Sequence, residues 1–384
     1  MQIVISAEAP TALIELCGIT LIERLLRTLQ RVGVREAIIY SKTPSMIEAE
    51  LSKKSLPRSE IAVRVARSAD AISGSELHLL LPGDAVWDER LLRLLLRQTE
   101  PCRLVDNGRP TGAVVSRVDA PGAEARVLDI ASQPTYSLNM RRDLRPLWIP
   151  APTSVAQSRE AERRILDAAQ KGSLDFPAYV DGPIETFLVA RLCKTSITPN
   201  QLTALCNVVA WMAAVLFATG HLVSGTALAL AVEVLDGLDG KQARVKVETS
   251  EAGKLEHWLD TLYELAWAAA LAYHFQASGQ LPDAYKYLLL LLAAEGVDGL
   301  AKLSIIRRYG RLIDELSPLD RKIRLLGGRR NIYVWILAAG LLLGSPAKSF
   351  VVMAYWEAVT AVVHVARAFW AIWIRPFDFS ASAE

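Results

Sequence analysis

Over the first 150 residues, short apolar runs alternate with stretches whose apolar positions recur at helical spacing. Gln2–Ser6, Ala37–Tyr40, Ile61–Val65 and Leu77–Leu81 have the length and composition of buried strands. Leu21–Val32 reads as an amphipathic helix between them. Strand-helix alternation predicts a parallel, doubly wound sheet with ligand chemistry at the carboxyl ends of its strands. In the second half the pattern changes. Apolar segments at about 202–219, 222–243, 256–276, 285–306, 331–344 and 349–373 approach or reach the length that spans a bilayer, the fifth being short. The fold expected is an α/β doubly wound cytosolic domain followed by an all-α polytopic membrane domain of six transmembrane helices.

The boundaries expected are 1–150 for the first domain, 151–182 for a helical connector and 183–384 for the membrane domain. Within the connector, Ser158–Lys171 is a charged helical stretch, and Pro177 and Gly182-Pro183 predict breaks. Ile184–Leu192 is amphipathic and suits either a helix along the bilayer surface or an ordinary soluble helix. Thr198 is a candidate helix cap, with Pro199 in the first turn behind it.

Charge refines this picture. With 43 Lys and Arg against 41 Asp and Glu, the net charge is +2, so no basic field points to nucleic acid. The local distribution is uneven. Lys241, Arg244, Lys246 and Lys254 lie between the second and third segments, and eight basic residues from Arg307 to Arg330 lie between the fourth and fifth. The connections after the first and third carry mainly His221 and Lys286. The positive-inside rule then places both termini and the loop at Asp236–Arg244 in the cytosol, in a multi-pass protein of the cell membrane. The amino terminus lacks the basic and long apolar regions of a signal peptide, which agrees with a cytosolic first domain. Cys17, Cys102, Cys193 and Cys206 have no metal-like or redox spacing and read as free thiols.

The densest chemistry is Asp236-Gly-Leu-Asp-Gly-Lys-Gln-Ala-Arg244. Asp236 and Asp239, three apart, share a helix face at the mouth of an apolar segment. Carboxylates placed there call for a hard cation, Mg2+ or Mn2+. Gly240 gives a phosphate room to approach the backbone, and Arg244 offers it a planar fork of donors. This stretch resembles the signature of the CDP-alcohol phosphotransferases, Asp-x2-Asp-Gly-x2-Ala-Arg-x8-Gly-x3-Asp-x3-Asp, and matches it through Gly253. The segment Ser196-Ile-Thr-Pro-Asn-Gln-Leu-Thr203 is similar to that family's entry segment.

Past Gly253 the match breaks. The third and fourth aspartates of the signature fall on His257 and Thr261. Shortening the 245–255 loop by one residue would bring Glu256 and Asp260 into those slots, with Ala252 replacing the glycine, and this register is preferred. The competing register keeps Gly253 and makes His257 a ligand, which suits Mn2+ or Zn2+ better than Mg2+. Glu233, one turn before Asp236, could support the metal site from behind. Glu264, Glu295, Asp298 and Glu357 read as interhelical hydrogen-bonding groups, and His274 and His364 as packing or interface residues.

The resemblance implies that a hydroxyl attacks the phosphorus next to the activated alcohol and CMP leaves. Asp236, Asp239, Glu256 and Asp260 would hold the metal, with Asp260 also the proton acceptor. Gly240, Ala243 and Arg244 would bind the nucleotide or its phosphate. Arg329 and Arg330 could bind a phosphate on the acceptor, or simply anchor the membrane surface. A CDP-alcohol donor, an alcohol acceptor, the lipid bilayer and a homodimer through the membrane domain are the partners implied. The rival reading is a non-catalytic membrane scaffold on the same fold, motivated by the displaced acids.

The first half resembles nucleotidyltransferases that activate sugar or polyol phosphates. The resemblance lies in Ile14-Glu-Leu-Cys-Gly-Ile-Thr-Leu-Ile-Glu-Arg24, in Val32-Gly-Val-Arg-Glu-Ala-Ile-Ile39 and in Leu79-Leu-Leu-Pro-Gly-Asp84. In that family a glycine-rich loop with an arginine and a lysine follows the first strand and cradles a triphosphate. Here the position reads Ala7-Glu-Ala-Pro-Thr-Ala12, so the domain is expected to be inactive, with Asp84 a loop or capping residue. The fusion resembles bifunctional enzymes of inositol-phosphate metabolism, which favours a CDP-inositol or CDP-diacylglycerol donor and a polyol or polyol-phosphate acceptor.

Overall fold

The apolar runs of the first half pair as Gln2–Ser6 (β1), Glu36–Tyr40 (β2), Ala62–Ala66 (β3) and Leu77–Pro82 (β4). A computed structural model describes all residues except 9, 54, 68–76, 118–124, 173–174, 249–252 and 375–384, with backbone alone for Leu56 and residues 253–257. Three more strands, Cys102–Asp106 (β5), Arg109–Arg117 (β6) and Arg126–Asp129 (β7), complete a seven-stranded sheet. Its order is β7-β5-β6-β4-β1-β2-β3.

The sheet is mixed rather than parallel. β1 pairs parallel with β2 and β4, β2 with β3, and β5 with β7, whereas β6 runs antiparallel to both β4 and β5. The cause is local. Asn107 and Gly108 both adopt positive φ, at 50° and 77°, and turn the chain back in two residues with no crossover helix. Helices Leu21–Arg31 (α1), Pro44–Leu51 (α2), Glu89–Leu96 (α3) and Val155–Ala168 (α4) accompany the sheet. Ile22, Leu25, Leu26 and Leu29 of α1 join Ile5, Leu79, Leu81, Trp87 and Leu92 in one buried core. Thr20 caps α1, its hydroxyl accepting from the Glu23 amide.

The remainder is helical: Ala178–Leu192 (α5), Pro199–Ala218 (α6), Leu222–Lys246 (α7), Gly253–Ala277 (α8), Ala284–Tyr309 (α9), Pro318–Leu326 (α10), Arg330–Leu342 (α11) and Pro346–Phe369 (α12). Gly182-Pro183 does not break the chain, contrary to the sequence expectation. Pro183 lies inside α5, and the helix starts before it, where Asp175 accepts from the Ala178 amide. Contacts divide the chain into two compact units. The first is Met1–Gly172 with Thr186–Ile197 and Gly240–Ser250; the second is Ser173–Glu185, Thr198–Asp239 and Glu251–Glu384.

In the second unit Trp267 stacks edge-on to Phe217, with ring centroids 6.0 Å apart, and its indole donates to the Ala210 carbonyl. His364 of α12 meets Asp298 of α9, and Tyr333 of α11 donates to Glu357 of α12. His364 is thus a polar partner at a helix-helix interface, and Asp298 makes the interhelical hydrogen bond expected of it. Pro199–Ala218 and Pro346–Ile374 are long and apolar enough to cross a membrane, and Arg330–Leu342 is a shorter apolar helix. α7, α8 and α9 are longer than α6 but carry acids within their apolar runs, among them Glu233, Glu264 and Glu295.

Candidate active site

α7 is unbroken through the signature, so Asp236 and Asp239 sit one turn apart as their spacing requires. Asp239 is only 3% exposed and accepts a hydrogen bond from the Thr203 hydroxyl. Thr203 stands in the first turns of α6, whose start is fixed by a capping box. The Thr198 side chain accepts from the Gln201 amide, and the Gln201 side chain accepts from the Thr198 amide. Asp236 is half-buried and pairs with Arg330, Oδ2 to Nη2 at 2.7 Å.

Arg330 gathers the rest. Its Nη1 lies 3.3 Å from Glu264 Oε1 and donates to the Tyr263 hydroxyl, and its guanidinium carbon is 5.3 Å from the Tyr263 ring centroid. Asp260 stands one turn before Tyr263 on α8, within electrostatic reach of it and of Arg330. Asp236, Asp239 and Asp260 all lie within electrostatic reach of Cys206 on α6. The structure therefore brings three of the four expected metal-site acids into one neighbourhood of the second unit. Glu256 and the alternative His257 fall in the first turn of α8, and their side chains lie outside the described residues.

Acids outnumber cations around this centre. Arg329 pairs with Asp175 at 3.3 Å, and Asn331 donates to the same carboxylate. Glu233 takes the Trp335 indole N–H on one oxygen, and its other oxygen is buried without a hydrogen-bond partner. On α5, burial first and then the neighbouring Glu185 and Asp175 carboxylates push Asp181 up to about 6. An excess of hard oxygen donors over guanidinium groups fits a hard divalent cation in chemistry. No group of three donors stands close enough to hold a metal among the described residues. Asp236 and Asp239 are instead held by Arg330 and Thr203.

The other half of the signature belongs to the first unit. A Cβ on Gly240 would stand 3.1 Å from Arg244 Nη1, so the glycine leaves room beside that guanidinium. Arg244 Nε donates to the Ala169 carbonyl at 2.7 Å. Ala243 is half-buried one residue before it. Arg244 also lines an open cleft of about 770 Å³ with Arg24, Arg31 and Lys171. Lys241 has no exposed surface, and its ammonium donates to the Gln170 and Thr186 side chains. After β1, where a triphosphate loop would lie, the Ala12 and Leu13 amides are already used. Ala12 N–H bonds to Glu8 and Leu13 N–H to Pro10, in a tight turn with Ala7 and Ala12 buried. Asp84 lies in the bend after β4.

Residues 196–373 match the family described as CDP-alcohol phosphatidyltransferase. The chain carries a CDP-alcohol phosphatidyltransferase domain. Asp236, Asp239, Gly240, Ala243, Arg244, Glu256, Asp260, Arg329 and Arg330 all fall inside that transferase domain. A bifunctional IPC transferase and DIPP synthase of Rubrobacter xylanophilus is 28% identical over 238 residues, 59% of this chain and 47% of that protein. Its counterpart from Aquifex aeolicus is 26% identical over 202 residues, 51% of this chain and 44% of that protein. The chain thus spans less than half the length of these curated relatives. Among solved structures, a Mycobacterium tuberculosis phosphatidylinositol phosphate synthase with CDP-DAG bound aligns at a TM-score of 0.39 and 20% identity, over 52% of this chain and 96% of that one. HddC from Yersinia pseudotuberculosis aligns at 0.31 and 10% identity, over 43% and 99%. Both scores are too low for a shared fold to follow.

Thr203, Tyr263 and Lys241, which the structure sets against Asp239, Arg330 and the Gln170 and Thr186 side chains, are not marked out by the signature. Tyr263 had one usable signal, its place one turn after Asp260.

Proposed function

We propose that the protein is an integral-membrane CDP-alcohol phosphotransferase. It moves a phospho-alcohol group from a CDP-linked donor to a hydroxyl of a polyol or polyol-phosphate acceptor and releases CMP. The observation that carries the reading is the gathering of Asp236 and Asp260 around Arg330 and Tyr263, with Asp239 one turn from Asp236 on α7 and bonded to Thr203, inside residues 196–373. The outward apolar faces of α6 (Leu205, Val208, Met212, Val215) and α12 (Val352, Tyr355, Val359, Val362) support residence in a bilayer, since water would penalise such surfaces.

The acceptor oxygen forms a bond to the phosphorus next to the donor alcohol. The bond from that phosphorus to the bridging oxygen breaks, and CMP leaves with the electron pair. Asp260 accepts the hydroxyl proton late in the step. Gly240 and Ala243 leave the nucleotide room, and Arg244 contacts its phosphate. Asp236, Asp239 and Asp260, with Glu256 in the preferred register, would hold Mg2+ or Mn2+. When bound, such a cation offsets charge on the phosphate oxygens and the leaving group. Arg330, within reach of these acids, is the candidate for an acceptor phosphate, with Arg329 beside it in sequence. The names of the two bifunctional relatives favour an inositol-type donor or acceptor. On this reading the first domain is not the source of that donor, because the stretch after β1, Ala7 to Ala12, has no glycine and no basic residue with which to cradle a triphosphate.

CMP release by purified protein in detergent tests this, with Mg2+ or Mn2+, CDP-diacylglycerol or CDP-inositol, and a panel of polyols and polyol phosphates. Loss of release in Asp236→Asn, Glu256→Gln and Asp260→Asn, but not in His257→Ala, is expected. Release that depends on His257 would move the metal site to the other register. A second reading, a non-catalytic scaffold, draws on the engagement of Asp236 and Asp239 by Arg330 and Thr203. Absence of release from every pair would put it ahead.

A further inference from the structure

α1 carries Arg24, Arg27 and Arg31 at intervals of three and four, on one helical face. All three reach the end of α7. Arg24 Nη1 donates to the Val245 carbonyl at 2.6 Å, Arg27 Nη1 to that of Lys246 at 2.8 Å, and Arg31 Nη2 to that of Glu248 at 3.0 Å. Both ends of these bonds lie in the first unit. A helix leaves its last carbonyls without intrahelical partners, at the negative end of its dipole, and cations there are favourable. Arg24 is buried, and its other terminal nitrogen goes to the Leu16 carbonyl, so carbonyls rather than a carboxylate receive its donors. Burying a guanidinium is costly unless it is hydrogen-bonded, and here the Val245 and Leu16 carbonyls take its terminal nitrogens.

The end of α7 is itself strained. Val247 adopts a φ of +52°, a left-handed conformation that is unfavourable for a β-branched side chain. Glu248 N–H closes back on the Ala243 carbonyl at 2.8 Å, in the manner of a Schellman motif. Lys246 Nζ adds a bond to the Thr195 carbonyl. Strain of this kind persists only where its surroundings impose it.

We infer that the first domain serves as a clamp on the signature helix. Arg24, Arg27 and Arg31 are positioning residues that fix the last turns of α7, and through them Gly240, Ala243 and Arg244, for the donor's phosphate. This rests on the proposed transferase activity and extends it. A domain without its triphosphate loop keeps a role in the reaction by holding the helix that binds the nucleotide.

The test uses the full-length protein in detergent, with Arg27→Gln/Arg31→Gln, Arg27→Lys/Arg31→Lys and wild type. These two positions are chosen because Arg24→Gln could unfold the first domain. Hydrogen exchange read by mass spectrometry should rise about tenfold or more over residues 240–248 in the glutamine variant, as expected for a freed helix end. Exchange in β1 and β4 should not change, and the lysine variant should recover part of the protection. With CDP-diacylglycerol or CDP-inositol, whichever wild type uses, the donor KM should rise about tenfold while kcat changes less, since loosened positioning weakens binding of the phosphate. Unchanged exchange over 240–248 would overturn the clamp. Faster exchange with an unchanged donor KM would overturn its role in the reaction. A wild type that releases no CMP would refute the transferase reading instead, and the exchange result would still decide the clamp.

Discussion

Arg330 touches Asp236, Glu264 and Tyr263 at once, so at the residue scale its removal is the most disruptive single change in the second unit. Arg330→Gln takes the guanidinium from two half-buried carboxylates, a loss that stays below the roughly 3–5 kcal/mol of breaking a fully buried pair. Thermal melting of the variant in detergent should fall by several degrees, and Asp236→Asn should fall less, because Glu264 still partners the arginine. Equal losses would mean that Arg330 does not organise the cluster. Asp181 gives a pH-dependent counterpart. Its carboxyl, buried beside Glu185 and Asp175, is pushed from 3.8 up to about 6. The folded state binds that proton more tightly than the unfolded chain does. The stabilisation is therefore full below 3.8 and is lost as pH rises through about 6. Asp181→Asn, which cannot ionise, should melt above wild type at pH 7 and close to it at pH 4. A gap that stays constant with pH would remove the titration from this account.

The elements show what a sequence makes legible and what it hides. β1 and α1 declare themselves through period and cap, and so does the start of α6, where Thr198, Pro199 and Gln201 form a cap readable from three letters. Thr198→Ala should cost about 1 kcal/mol. Because α6 carries Thr203 to Asp239, the loss should be larger than in Thr195→Ala, outside the helix; equal melting temperatures would argue against the cap. The antiparallel β6 was hidden by reading strands one at a time, although Asn107-Gly108 is a strong hairpin signal between two apolar runs. Pro183 misled for the opposite reason, since a breaker is read locally while α5 is set by the Asp175 cap before it. In the sequence Asp298 reads as an interhelical hydrogen-bonding group and His364 as a packing or interface residue, each without its partner. Their pairing needs α9 and α12 side by side, and no local pattern encodes that.

At the scale of the whole molecule, the nearness of Asp236 and Asp239 was legible because both carboxylates fall within one turn, so spacing alone places them together. The groups that clasp them come from afar, Thr203 from α6 and Arg330 from α11, and only the packed bundle brings them in. That arrangement bears on how the transferase domain accepts its ligands. In a site whose acids are held by protein donors, binding must exchange Arg330 and Thr203 contacts for contacts to a cation and a pyrophosphate. The gain in stability on binding then measures whether the acids act together. Mn2+ with CDP-diacylglycerol or CDP-inositol, at about 100 times its dissociation constant, should stabilise wild type by about 2.7 kcal/mol. Asp239→Ala should lose most of that gain, and Mn2+ alone should give less than the pair. A full shift in Asp239→Ala would place the nucleotide away from α7, and no shift in either protein would leave the acid cluster a structural knot between helices.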